Sequence, residues 1–200
     1  MHTIDLRQAD ATAVRASVAV VAQVSTGDLG RLTPCAEWDL GTLIAHMTAQ
    51  HRGFAAAAAG RGADLAVWRP DPPGDDPVRA YEAAASAVID AFAEVDVPGR
   101  PFALPEISPD RTFPGRVAIG FHLVDYVVHG WDVAASLGTG FQLPDGVVRA
   151  ALPIARAVPD GQSRTVPDAA FAPGRPVPAG AEPLAEILAL LGRGPFTPRG

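Results

Sequence analysis

The sequence predicts a mainly α-helical protein built on four longer helices that pack as a bundle. Three observations carry this. Apolar residues recur at helical spacing through four segments, alternating strand-like runs are scarce, and capping or helix-breaking residues bound each segment. With 48% apolar and 19% charged residues, a chain of 200 residues can bury a substantial core, so we expect one globular domain.

The first helix is expected from about Ala9 to Val24, where Val14, Val18, Val21 and Val24 fall at helical spacing before Gly27, Gly30 and Pro34. Asp39 reads as the N-cap of a second helix, with Leu40, Leu43, Ile44, Met47 and Phe54 on one face and Gly60 at its end. A Pro- and Gly-rich loop follows over 69–73. Asp75-Asp76-Pro77 then opens a third helix, with acidic residues at the cap and Pro in the first turn. Residues 98–114 hold many prolines and read as a long irregular connection. The fourth helix runs from about Arg116 to Leu137 and stops at Gly138. A shorter helix is expected over Asp145–Val158 with Pro153 inside it, then loop to Pro178 with a short extended piece at 169–171, and a last helix over Pro183–Leu191. The bundle core thus spans about residues 5–138, and an extension covers about 139–200.

Composition excludes several chemistries. The net charge is −6 with no basic patch, which argues against nucleic acid. All sixteen basic residues are Arg, so Schiff-base chemistry and a P-loop lysine are excluded. The single Cys35 cannot form an internal disulfide. The first residues lack the charged-then-apolar pattern of a signal peptide, and the one long apolar run is interrupted by His and Asp. The expectation is a soluble, cytoplasmic protein that engages no membrane, as monomer or homodimer. No Gly-x-Ser-x-Gly elbow is present, so serine-triad catalysis finds no support.

The fourth helix carries His122, Asp125, His129 and Asp132 in an otherwise apolar segment. At about 100° per residue they share an arc of roughly 80°. Buried charge without a partner is very costly, so the stripe faces water or something that satisfies it. Asp125 and His129, spaced i, i+4, sit over one turn. They form either an ordinary ion pair or two ligands of a metal ion whose third ligand comes from elsewhere. His46 is the leading third candidate, at the flank of the second helix's apolar face; His51, nearer the middle of that face, is a rival ligand or a core histidine. His122 caps the site or meets solvent. Asp132 reads as an acceptor that orients His129, and Trp131 as core packing. Cys35 precedes a helix start, where a dipole lowers a thiol pKa; a buried structural thiol is the simpler reading.

The segment Leu32-Thr-Pro-Cys-Ala-Glu-Trp-Asp-Leu-Gly-Thr-Leu-Ile-Ala-His46 resembles the start of the second helix in the mycothiol-dependent maleylpyruvate isomerase N-terminal family, part of the DinB-like superfamily. Leu123-Val-Asp-Tyr-Val-Val-His-Gly-Trp-Asp-Val-Ala134 resembles its second signature, and Glu182–Pro195 looks like the closing helix of an actinobacterial subgroup. The resemblance implies a DinB-like four-helix bundle with extra short C-terminal helices. It implies a divalent ion, usually zinc, held by His46, Asp125 and His129; nickel or iron also suit two imidazoles and a carboxylate. The characterised isomerase of that family pairs Glu with the later His, where this chain has the shorter Asp125. The function implied is a metal-dependent enzyme that uses a low-molecular-weight thiol, mycothiol, with a small-molecule substrate, for isomerisation or thiol transfer. The alternatives are a non-catalytic metal-binding or sensing protein and a metal-dependent hydrolase. In an enzyme, His122 and His51 are the proton-transfer candidates, because histidine titrates near neutral pH.

Overall fold

The structure is a computed structural model that describes residues 5–35, 38–71, 74, 76–165 and 169–197. Four helices, α1 (Leu6–Val21), α2 (Leu40–Ala58), α3 (Pro77–Ala93) and α4 (Gly115–Leu137), form the bundle. α1 packs on α4 and α3, and α2 packs on α3 and α4. Two shorter helices follow, α5 (Asp145–Ala157) and α6 (Pro183–Leu190); α5 lies against α1, α4 and α6. The helical class and the extra C-terminal helices match the expectation. Among the described residues, no helix is long and apolar enough to cross a membrane.

The helix boundaries follow local chemistry. Asp39 accepts a hydrogen bond from the Thr42 amide, and Asp76 accepts from Arg79, so each satisfies an amide that the first helical turn leaves free. Asp75, read as part of the same cap, lies outside the described residues. α1 starts earlier than its valine spacing suggested, because Asp5 caps it by accepting from the Arg7 amide. Gly138 ends α4 at φ 70°, a left-handed conformation that glycine adopts without steric cost.

Between the helices sits an apolar core. Val14 and Val21 of α1, Leu40, Leu43, Ile44 and Met47 of α2, Tyr81 of α3 and Tyr126 of α4 are buried in one cluster. Each such aliphatic side chain contributes roughly 1.5–3 kcal/mol by leaving water. This cluster surrounds the α2–α4 contact and so sets the depth at which polar groups on those helices sit.

Two expectations are corrected. The connection before α4 is not wholly irregular: β1 (Pro101–Ala103) pairs antiparallel with β2 (Thr112–Pro114), Phe102 opposite Phe113. Both rings are buried, so burial of two aromatics builds a hairpin where local propensity is poor. The extended piece expected at 169–171 is absent; instead a 3₁₀ turn forms at Gln162–Arg164. The buried Arg164 guanidinium donates to the carbonyls of Val158, Ala172 and Leu190, which organises this segment without strand pairing.

The start of α4 is seated on the segment before the hairpin. A Cβ on Gly115 would collide with the Val97 carbonyl and press on the Phe102 ring. A backbone carbonyl cannot swing aside as a side chain can. Gly115→Ala is therefore expected to cost about 1–3 kcal/mol of stability through overpacking. Chemical denaturation checks this; a midpoint equal to wild type would show that the seat adjusts freely.

Candidate metal centre

His46 projects from α2, and Asp125 and His129 from α4. One donor atom from each lies within 4.8 Å of the others. His129 Nε2 is 3.4 Å from Asp125 Oδ1, and the His46 and His129 rings meet edge-on with centroids 5.4 Å apart. Two ligands of a tetrahedral ion, each bonded at roughly 2.0–2.2 Å, are separated by about 3.4 Å. The donor set, two imidazoles and one carboxylate, therefore fits a divalent ion in chemistry and in spacing. The His129 side chain is 2% exposed and that of Asp125 20%, and His46 is also part-exposed, so His129 is the innermost of the three.

The electrostatics favour ligation. Burial pushes the His46 imidazole down to about 4, helped by nearby His129 and opposed by Asp125. At neutral pH His46 carries no proton on one nitrogen and presents a lone pair. Trp38 lies over both rings, 4.5 Å from His46 and 6.4 Å from His129 between centroids, and forms an apolar wall.

Behind His129 stands a buried chain of charge. Asp132 Oδ2 is 3.0 Å from His129 Nδ1. Arg193 donates to both carboxylate oxygens, Nη2 to Oδ2 at 2.8 Å and Nε to Oδ1 at 3.2 Å. Burial alone would raise the Asp132 carboxyl, but the hydrogen bonds of His129 and Arg193 and the Arg193 charge hold it below the usual value. A charged Asp132 only accepts, so Nδ1 of His129 donates to it and Nε2 faces Asp125. Asp132 thus occupies the orienting position expected of it.

Arg193 was not foreseen. It follows Gly192, which turns the chain after α6 at φ 83°, and 61 residues separate it from Asp132. Only the surplus of a charged residue in an apolar tail hinted at a buried partner. Its Nη2 also lies 3.5 Å from Cys35 Sγ. Cys35, His129 and Asp132 form a second close group, but Arg193 and the Nδ1 proton already occupy the Asp132 carboxylate, so the first group suits a cation better. The Cys35 thiol is half-buried and pushed up to about 11, chiefly by burial, with Arg193 pulling the other way. Of the two readings of Cys35, the buried thiol holds over the dipole-lowered one: desolvation wins, and the group is a thiol at neutral pH.

His122 and His51 do not flank an open coordination position. Both are 0% exposed and bond to each other in the bundle centre, with His122 also bonded to Asp10. The solvent-facing reading of His122 is wrong, because the polar partners sit inside the bundle. With no water-accessible atom on either ring, a direct proton-carrying role loses its basis. The four-residue stripe of α4 thus divides three ways, towards α1 and α2, towards His46, and towards Arg193. A surface groove of about 470 Å³, bordered by Arg52, Arg61 and Arg69, includes none of these residues.

The depressed imidazoles make a pH prediction. Between about 4 and the ordinary 6.5 the unfolded chain binds a proton that folded His46 does not. Stability is therefore full above about pH 6.5 and falls as the pH drops towards 4. His51, lowered by burial and by His122, acts in the same direction, while Asp10, raised by burial, opposes part of it. Metal-free protein is expected to melt at lower temperature at pH 5 than at pH 7.5, with a smaller difference in His46→Gln. An equal or higher melting temperature at pH 5 contradicts this.

Comparison with known proteins shows the family. The family model of the mycothiol maleylpyruvate isomerase N-terminal domain matches residues 11–134. Uncharacterized proteins from two strains of Mycobacterium tuberculosis are 33% identical over 178 residues, covering 89% of this chain and 92% of theirs. The crystal structure of the mycothiol-dependent maleylpyruvate isomerase superposes with a TM-score of 0.53 at 17% identity, covering 78% of this chain and 72% of that one, and so shares the fold. The matched span contains His46, Asp125, His129 and Asp132, whereas Arg193 lies beyond it. This chain belongs to the mycothiol maleylpyruvate isomerase N-terminal domain family.

Proposed function

We propose that the protein holds one divalent ion, zinc by donor chemistry, through His46, Asp125 and His129, and uses it with a low-molecular-weight thiol such as mycothiol in isomerisation or thiol transfer. The observation that carries this is the convergence of three donors from α2 and α4 within 4.8 Å, in a chain of this family. Three protein ligands leave a coordination position where a bound ion lowers the pKa of a thiol or water.

The protein's own residues arrange the rest. Asp132 keeps the proton on His129 Nδ1 and so presents Nε2. Arg193 keeps Asp132 charged in a buried place. Burial keeps His46 neutral, and Trp38 excludes water from one side of both rings. Cys35, held as a thiol beside Arg193, offers no thiolate to compete with an incoming thiol.

Elemental analysis of purified protein is expected to find one divalent ion per chain. In the cobalt-substituted protein, mycothiol is expected to change the visible spectrum, and its S-methylated form to leave it unchanged. Protein that retains no metal after loading and desalting overturns the proposal. A metal-bound protein whose cobalt spectrum ignores the thiol removes the thiol cosubstrate and leaves a metal-binding protein.

A further inference from the structure

A second polar cluster lies deeper in the bundle, apart from the three candidate ligands. His122 Nδ1 on α4 is 2.7 Å from Asp10 Oδ1 on α1, and His122 Nε2 is 3.1 Å from His51 Nδ1 on α2. All three side chains are buried. With Asp10 accepting, His122 donates from Nδ1 and accepts at Nε2 from His51. His51 Nε2 is then a buried acceptor with no partner among the described residues. The His51 ring stacks on Tyr126, with centroids 3.9 Å apart and planes 7° apart. The Tyr126 hydroxyl in turn donates to the Met47 carbonyl.

Such a cluster is a poor way to gain stability, since it leaves one buried nitrogen unpaired where apolar side chains would pack without that penalty. Its placement explains it better. Met47 adjoins His46 and Tyr126 adjoins Asp125, while His51 and His122 lie on the same two helices farther into the bundle. α2 rests mainly on α3 and α4 mainly on α1, so the direct α2–α4 interface is narrow. Apolar packing across a narrow interface tolerates sliding and rotation, whereas hydrogen bonds have direction. The hydrogen bonds of Tyr126 to Met47 and of His122 with His51 both cross between α4 and α2, and Asp10 anchors the second to α1.

We propose that Asp10, His122, His51 and Tyr126 are positioning residues for the metal centre: they lock α2 against α4 so that His46 meets Asp125 and His129 before an ion arrives. This rests on the metal reading above. A loosened α2–α4 pair must reorder on binding, so its affinity falls even though every ligand is intact.

The test is zinc affinity measured by chelator competition at 25 °C, on full-length protein shown to be folded by circular dichroism. Tyr126→Phe removes one oxygen, and His51→Phe keeps the stack but breaks the hydrogen-bonded chain. Each is expected to weaken zinc binding about 10–100-fold, the range typical of groups that orient ligands. Asp10→Asn keeps an acceptor for His122 and is expected to stay within about threefold of wild type, whereas Asp10→Ala is not. A merely structural role would lower the melting temperature and leave the affinity of the folded protein unmoved. Wild-type binding with unchanged affinity in Tyr126→Phe and His51→Phe overturns the inference alone. A wild-type protein that binds no zinc overturns the metal reading and this inference together. Should His51→Phe fail to fold, Tyr126→Phe decides.

Discussion

His129→Ala is expected to abolish retention of a divalent ion while the helical circular dichroism signal stays at the wild-type level. His129 is the hinge of the candidate centre: one nitrogen faces Asp125 at 3.4 Å and the other faces Asp132 at 3.0 Å. Its removal takes away one of three donors and also the group through which Asp132 and Arg193 reach the site. Two remaining donors, His46 and Asp125, hold an ion weakly, so the loss is expected to exceed the 10–100-fold typical of an orienting group. The fold survives because Asp132 keeps its paired hydrogen bonds from Arg193. Metal content after desalting and isothermal titration with zinc give the answer. Stoichiometric metal in His129→Ala, or in His46→Ala, would remove these residues from the ligand set.

The second large effect is on stability. Asp132 and Arg193 are a buried pair, with side chains 0% and 3% exposed. Asp132→Ala leaves the guanidinium buried with its carboxylate gone, and its remaining hydrogen-bond partners among the described residues are the Leu191 carbonyl and the Cys35 sulfur. Breaking a buried pair by removing one partner costs about 3–5 kcal/mol, most of it the cost of the charge left behind. The double variant Asp132→Ala/Arg193→Met removes both charges and is expected to recover much of that loss. Denaturant midpoints of the two single variants and the double variant measure this directly. A loss below about 1 kcal/mol in Asp132→Ala would mean that Arg193 turns out to water, and that the C-terminal segment is not tied to α4 in solution.

The two predictions divide the centre along a line that the amino-acid sequence also draws. Asp125 and His129 were legible because i, i+4 spacing places them over one turn whatever the rest of the chain does. His46 was legible as a candidate from its place on the flank of α2's apolar face, and the family resemblance chose it over His51. The structure draws the two apart, placing His46 beside His129 and His51 beside His122. Wheel arithmetic could not do this, since the neighbours of a helix face depend on which helix packs there and at what depth.

Taken by itself, the sequence determined what short-range physics controls. Apolar periodicity set the helices, Asp39 and Asp76 their starts, Gly138 the end of α4, and i, i+4 spacing the Asp125–His129 pair. The tertiary structure alone decided the partners of the buried charges: Asp10 with His122 across 112 residues, His51 with His122 across 71, and Arg193 with Asp132 across 61. It alone also decided the Phe102–Phe113 hairpin and the raised thiol of Cys35. The reason is that desolvation and pairing depend on the whole packed environment. A polar residue in an apolar segment announces that it needs a partner, but only the fold brings that partner within 3 Å.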